Sequence, residues 1–113
     1  RTFDMYDEWI NDRFEKFNGS EFPIKVLYLD FNNWRKENNY DMREKISKIK
    51  FSKELRNHLG VDWVYESKHG RANISDETIN DLMNHTTDAT NISDVDSFKK
   101  EFISGRQATI RKI

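Results

Sequence analysis

The residues best suited to chemistry in this chain are cations and amides near its middle. Between residues 35 and 71, ten Lys or Arg residues stand against six Asp or Glu residues, although the whole chain carries a net charge of −1. Because salt screens each charge beyond about 8–10 Å, a local basic surface can bind a polyanion on a nearly neutral protein. This segment therefore predicts a nucleic-acid contact surface, and ordinary scatter of charge in a Lys-rich chain is the alternative.

The first group of candidates lies on a helix predicted to run from the N-cap Ser47 to Leu59, before Gly60. At about 100° per residue, Phe51 and Leu55 face inward. Arg can bind guanine, Asn can bind adenine, and Lys can bind guanine or phosphate in the major groove. Backbone N–H groups at the helix start can hold a phosphate beside Ser47. A merely solvated helix face is the alternative. The residues predicted to bind DNA from this helix are Ser47, Lys48, Lys50, Lys53, Arg56 and Asn57.

A second basic group follows directly in the sequence. Val61, Trp63 and Tyr65 place a large apolar residue at every second position, which is typical of a strand. Residues 67–70 have turn chemistry, and residues 71–74 are predicted to return as a second strand. This β-hairpin would carry a basic tip that contacts phosphates or a minor groove. The predicted contact residues of the tip are Lys68, His69 and Arg71.

Helices are predicted on both sides of these two groups. Apolar spacing predicts a helix over residues 3–17 ending near Gly19, a second over 23–37, and a short one from about Asp41. After the hairpin, the pattern predicts helices from Ser75 to about residue 85 and over 94–104, separated by a polar loop at residues 86–91. The basic end, residues 105–113, is predicted to be disordered or a short strand.

The order helix, helix, helix, hairpin predicts a mostly helical α+β fold, a winged helix-turn-helix with an N-terminal helix and a helical C-terminal extension. The chain length of 113 residues fits one domain. We expect a connecting helix in residues 1–20, the winged-helix core in residues 21–74 and the extension in residues 75–113.

Other kinds of chemistry find little support in the sequence. The chain has no cysteine, which excludes disulfides and thiolate metal sites, and its four glycines form no phosphate-binding loop. The three histidines lack metal-ligand spacing, and no apolar run approaches the roughly 20 residues of a membrane helix. We therefore expect a non-enzymatic domain without cofactor or metal. Because the chain begins with Arg1 rather than Met, we also expect it to be a piece of a longer polypeptide.

Three segments resemble the C-terminal winged-helix domain of primase-helicases of the phage, plasmid and poxvirus type. They are VLYLDFNNWRKENN, SKIKFSKELRNHLG and WVYESKHGRANI, within residues 22–74. The similar pattern is an aromatic-rich helix, a helix introduced by Ser and Lys, and a basic hairpin. The residues that carry the resemblance are Leu27, Tyr28, Phe31, Trp34, Ser47, Lys50, Phe51 and Leu55, followed by residues 68–71.

The resemblance implies a replication initiator with a superfamily-3 helicase core, whose C-terminal domain recognises its origin by sequence-specific binding to double-stranded DNA. It also implies a cytoplasmic location and oligomerisation through the parent helicase. The Asn-, Lys- and Ile-rich composition fits a low-GC genome such as that of a staphylococcal mobile element. Two alternatives stay open: a winged-helix module that binds another protein, and a stand-alone transcription regulator.

Overall fold

Helices predominate in the computed structural model, which describes residues 4–113 and confirms the predicted α+β class. No helix in this range is both long enough and apolar enough to cross a membrane. In chain order the elements are α1 (Met5–Asp12), β1 (Gly19–Pro23), α2 (Ile24–Glu37), α3 (Lys48–Leu59), β2 (Trp63–His69), β3 (Asn73–Ile74), α4 (Asp76–His85), α5 (Thr87–Thr90), α6 (Val95–Phe98) and β4 (Gln107–Lys112), with 3-10 turns at Phe14–Lys16 and Gly60–Asp62 and a π turn at Lys99–Ile103.

Aromatic rings from the first three helices form the centre of the core. Trp9 of α1, Phe31 of α2 and Phe51 of α3 are all fully buried. Their ring centroids lie 4.8–5.7 Å apart, which is the range of favourable edge-to-face and offset contacts. The helical spacing of large apolar residues therefore aims three helices at one shared cluster.

The helix starts predicted from capping residues are confirmed for α3 and α4. The Ser47 hydroxyl accepts a hydrogen bond from the Lys50 N–H at 3.0 Å, and the Ser75 hydroxyl accepts one from the Thr78 N–H at 3.2 Å. The predicted helix after Asp94 also forms, as α6 followed by the π turn. Side-chain caps satisfy N–H groups that have no partner inside the helix, so they fix helix starts locally.

Three local predictions are wrong. The first helix ends at Asp12 rather than near residue 17, and Gly19 starts β1 instead of capping a helix; residue 3 lies outside the described residues. The short helix expected from Asp41 does not form, because the Arg35 guanidinium binds the carbonyl oxygens of Asp41 and Glu44 at 3.3 and 2.9 Å. The polar loop predicted at residues 86–91 contains α5.

The four strands form one antiparallel sheet in the order β2-β4-β1-β3. β4 is last in the sequence but lies between β2 and β1, where Ile110 pairs with Tyr65 on one side and Phe22 on the other. β1 and β3 approach closely at Gly19, where a Cβ would lie only 2.2 Å from the Asn73 carbonyl oxygen. The sheet thus joins residues from both ends of the chain.

The predicted hairpin is wrong in its pairing. β2 forms where the alternation predicted a strand, but it pairs with β4, and β3 pairs with β1. The period of two identifies a strand but carries no information about its partner. β4 offers the buried Thr109 and Ile110, whereas β3 is only two residues long. Residues 107–112 of the predicted extension therefore supply a central strand, and the division of the chain at residue 74 stays a prediction.

A buried carboxylate joins α1, α2 and α4. Asp30 is fully buried and accepts hydrogen bonds from Trp9 Nε1 at 3.0 Å, from Arg13 at 2.7 and 3.1 Å, and from His85 Nδ1 at 2.8 Å. Burial by itself would raise the pKa of Asp30, but the hydrogen bonds and charges of His85 and Arg13 hold it below its usual range. The carboxyl group is therefore ionised and fully paired inside the helical layer.

His85 is expected to make the stability of the protein depend on pH. Its Nδ1 faces Asp30 and its Nε2 faces Glu37, so the protonated ring satisfies both carboxylates. Burial opposes this charge and Arg13 repels it, but the attraction of Asp30 and Glu37 outweighs both and raises the pKa of His85. A raised pKa in the folded state gives stability that is fully present below the ordinary value of 6.5 and is lost as the pH rises through the folded-state pKa.

This pH dependence is measured by urea unfolding of the wild type and of His85→Gln between about pH 6 and pH 9, a range that brackets histidine titration. The variant is expected to lose less stability than the wild type as the pH rises. His58, whose pKa is also raised, leaves a residual slope in the variant, and His58→Gln serves as its control. Equal slopes for the wild type and His85→Gln would contradict the assignment.

Candidate nucleic-acid interface

The outward face of α3 carries the first predicted group of DNA-binding residues. Phe51 and Leu55 are fully buried beneath it, and Gly60, with φ +79°, ends the helix. Within residues 4–113 no carboxylate forms an ion pair with any of the four cations of this face. Their charges are therefore available to an external anion. The exposed residues are Ser47, Lys48, Lys50, Lys53, Arg56 and Asn57.

Arg56 is held in place more firmly than its neighbours on α3. Its guanidinium carbon lies 4.4 Å from the centroid of the Tyr65 ring, and its Nε donates to the Ser52 carbonyl oxygen at 3.3 Å. A cation over an aromatic face is stabilised by the ring quadrupole. The contact therefore orients the guanidinium and packs β2 against α3.

In the second predicted group, a buried carboxylate binds two of the three residues. Glu21 binds His69 Nε2 at 2.5 Å and Arg71 Nε at 3.1 Å. Burial opposes ionisation of Glu21, but these two hydrogen bonds lower its pKa below the usual range. Glu21 thus binds His69 and balances the charge of Arg71, although the Arg71 side chain stays 79% exposed. Lys68 is exposed and forms no ion pair within the described residues.

The chain reverses after α3, and two small cavities show which of these residues lie near one another. A cavity of about 70 Å³ is lined by Lys48, Ile49 and Ser52 of α3, by Tyr65 of β2 and by Ala108 of β4. Tyr65 of β2 therefore lies beside the first turns of α3.

The second cavity, of about 290 Å³, brings Lys48 next to Lys25 and Arg106. A Cβ placed on Gly70 would lie 3.9 Å from the Arg106 Cγ, so Arg106 also adjoins the turn after β2. Lys25 binds Glu101 at 3.6 Å, whereas Arg106 is exposed and forms no ion pair in the part of the chain described. Arg106 thus links the start of α3 to the turn that follows β2.

Arg106 is a candidate contact residue that sequence reasoning did not identify. The basic character of residues 105–113 is visible in the sequence, but the sequence does not show which strand this segment pairs with. Arg111, the next of them, is paired with Glu66 at 2.7 Å, and this hydrogen bond lowers the pKa of Glu66. The pairing of β4 with β2 brings Arg111 to Glu66, whereas Arg106 forms no ion pair within the described residues.

One other polar cluster could have suggested a metal site. Among the described residues, Asp4, Asp7 and His58 have ligand-type atoms within 4.8 Å of one another. His58 Nδ1 lies 2.6 Å from the Glu54 carbonyl oxygen and Nε2 lies 2.8 Å from Asp4. Both ring nitrogens therefore face acceptors, and the pKa of His58 is raised although burial opposes it. The contacts to Glu54 and Asp4 thus occupy both ring nitrogens, one of which a metal ion would need.

Residues 4–91 match a family model described as poxvirus D5 protein-like, which links the chain to replication proteins of the primase-helicase type. No curated protein and no solved structure matches the chain. The matched residues include α3 and residues 68–71, whereas Arg106 and β4 lie outside them. Because the match spans more than half of the chain, the protein belongs to the poxvirus D5 protein-like family.

Proposed function

We propose that this chain is the double-stranded DNA-binding domain of a replication protein and that it recognises an origin by sequence. The observation that carries the proposal is the exposed row of cations on α3, which form no ion pair within residues 4–113 and of which Lys48 lies next to Arg106. The family membership supports the replication context. We further propose that the domain belongs to a longer primase-helicase that oligomerises and acts in the cytoplasm of a bacterium or an infected host cell.

The strand order supports interpretation as a winged helix. β1 lies between α1 and α2, β2 follows α3, and β4 returns between β2 and β1. A helix-turn-helix followed by two paired strands places its second helix in the major groove and its strand connection beside the backbone. In this chain α3 is the proposed recognition helix, and residues 70–106 form the connection between the two wing strands. The winged-helix proposal therefore pairs β2 with β4, not with β3.

Each group of cations has a distinct proposed role. Arg56 and Asn57 project from α3 and have donors that suit guanine and adenine edges. The helix start at Ser47, with Lys48, suits a phosphate, because its free N–H groups carry partial positive charge. Lys68 and Arg106 lie at the end of the strand pair and are proposed to contact the sugar-phosphate backbone.

A specific observation also favours the alternative of a protein-binding module. Residues 72–98 contain six Asp or Glu residues and no Lys or Arg. Such a segment suits a basic protein surface, because like charge would repel DNA from it. A complex that survives high salt and forms without DNA would favour this function over the first.

Lys53→Ala tests the proposed role of α3. The variant is expected to bind a selected duplex more weakly by about 1–3 kcal/mol if Lys53 contacts a base. Lys68→Ala, which removes a proposed phosphate contact, is expected to weaken binding to all sequences alike and to reduce the salt slope by about 1. Fluorescence anisotropy with labelled duplexes over a range of salt concentrations measures both effects.

Lys36→Ala is the matched control for these variants. Lys36 is an exposed lysine at the end of α2, where it lines a cavity with Glu37, Asp81 and Asp88 that includes none of the residues proposed to bind DNA. Its removal is expected to leave DNA affinity unchanged. The proposal fails if the wild type binds no duplex in a salt-sensitive manner at about 50 mM salt, where backbone contacts are strong.

A further inference from the structure

The first turn of α3 presents an apolar side chain between two exposed lysines. Ile49 is 82% exposed, and Lys48 and Lys50 flank it in the sequence. A single exposed aliphatic residue is ordinary on a protein surface and by itself carries no argument. The position of Ile49 is informative because residues in the first turns of a recognition helix approach base edges, next to the phosphate proposed to lie at the Ser47 cap.

Ile49 has both apolar and cationic neighbours. Ile49 lines the cavity of about 70 Å³ with Tyr65 and Ala108. Lys48 borders this cavity, and the Arg56 guanidinium lies over the Tyr65 ring. The surface therefore combines a small apolar contact with charges that attract a polyanion.

We propose that Ile49 contacts the 5-methyl group of thymine in the major groove and makes the domain select thymine at that position. This inference rests on the proposed function. The thymine methyl is the apolar group that base pairs display in the major groove, and aliphatic side chains recognise it by direct contact. The charges around Ile49 match the DNA backbone on either side of such a contact. A small apolar contact between two exposed lysines is a poor docking point for a protein partner, since lysine is depleted in protein–protein interfaces.

Deoxyuridine provides a direct test, because it pairs like thymine but lacks the methyl group. A preferred duplex is first selected from a random pool with the wild-type protein. Each thymine in that duplex is then replaced in turn by deoxyuridine, and the dissociation constants are compared. The wild type is expected to bind about fourfold more weakly when one particular thymine loses its methyl, the equivalent of one buried methyl group. Ile49→Ala is expected to bind the thymine and deoxyuridine duplexes equally.

Val61→Ala is the matched control for Ile49→Ala. Val61 is also an exposed aliphatic residue, 90% exposed, but it lies in the turn beyond the other end of α3. This variant is expected to keep the wild-type preference for thymine. Because both side chains are exposed, neither truncation is expected to affect folding.

Three results would overturn the inference while leaving DNA binding intact: no deoxyuridine replacement weakens wild-type binding, Ile49→Ala keeps the preference for thymine, or selection yields no preferred sequence. Loss of self-association in Ile49→Ala with unchanged DNA affinity would also overturn it, in favour of a second copy of the chain as the partner. Absence of any duplex binding by the wild type would overturn the proposed function as well.

Discussion

Replacing Asp30 by alanine is expected to lower the free energy of unfolding by about 3–5 kcal/mol, the usual cost of removing one partner from a buried ion pair. Asp30 is fully buried and accepts hydrogen bonds from Trp9, Arg13 and His85. Without the carboxylate, the indole N–H of Trp9 would lose its acceptor, and Arg13 and His85 would lose their buried partner. Urea or guanidinium unfolding at neutral pH measures the loss, and the wild-type protein provides the reference.

Asp81→Ala is the control for the Asp30 prediction. Asp81 also binds Arg13, at 3.2 Å, but its side chain is 48% exposed. An exposed pair contributes at most about 1 kcal/mol, because water solvates both charges once the pair is broken. If Asp30→Ala costs no more than Asp81→Ala, the buried network does not hold α1, α2 and α4 together.

Replacing Ile110 by alanine is expected to cost about 2–5 kcal/mol of unfolding free energy. The Ile110 side chain is fully buried, on the central strand β4 and between β1 and β2. Its truncation removes apolar contact and leaves a cavity that the strands on both sides cannot fill without moving. The measurement is again chemical denaturation, with the midpoint and the slope compared to detect any change in the unfolded state.

Ile113→Ala serves as the comparison, because it deletes the same atoms three residues further along the chain. Ile113 is 78% exposed, and the backbone hydrogen bond from its N–H to the Asp62 carbonyl oxygen does not need the side chain. Its truncation is expected to change the stability by less than about 0.5 kcal/mol. Similar effects of the two truncations would show that β4 does not form part of the folded core.

Features fixed by neighbouring residues were predictable from the sequence. Ser47 and Gly60 bound α3 because a hydroxyl cap and a positive φ each act within a few residues. Phe51 and Leu55 are buried and Lys53 is exposed because they alternate with the helical period. The short helix expected from Asp41 failed for a non-local reason, since Arg35 binds the carbonyl groups of that segment.

The pairing of distant segments was not predictable. Residues 63–65 show the alternation of a strand, but this pattern does not specify the partner strand, and β4 lies about forty residues further on. The same limit applies to the candidate interface. The capture of His69 and Arg71 by Glu21 joins residues that are far apart in the sequence, and Arg106 acquires its position only through β4.

The central position of β4 sets the order in which the protein can assemble during synthesis. A ribosome releases residues 107–112 after every other helix and strand of the fold. Until then no strand joins β1 to β2, and β2, whose Tyr65 ring contacts Arg56, has no strand to pair with. Long-range strand pairing is slow because the intervening chain must first be closed into a loop. Arg106 and the paired Tyr65 edge beside Arg56 are therefore in place only after translation has passed residue 112.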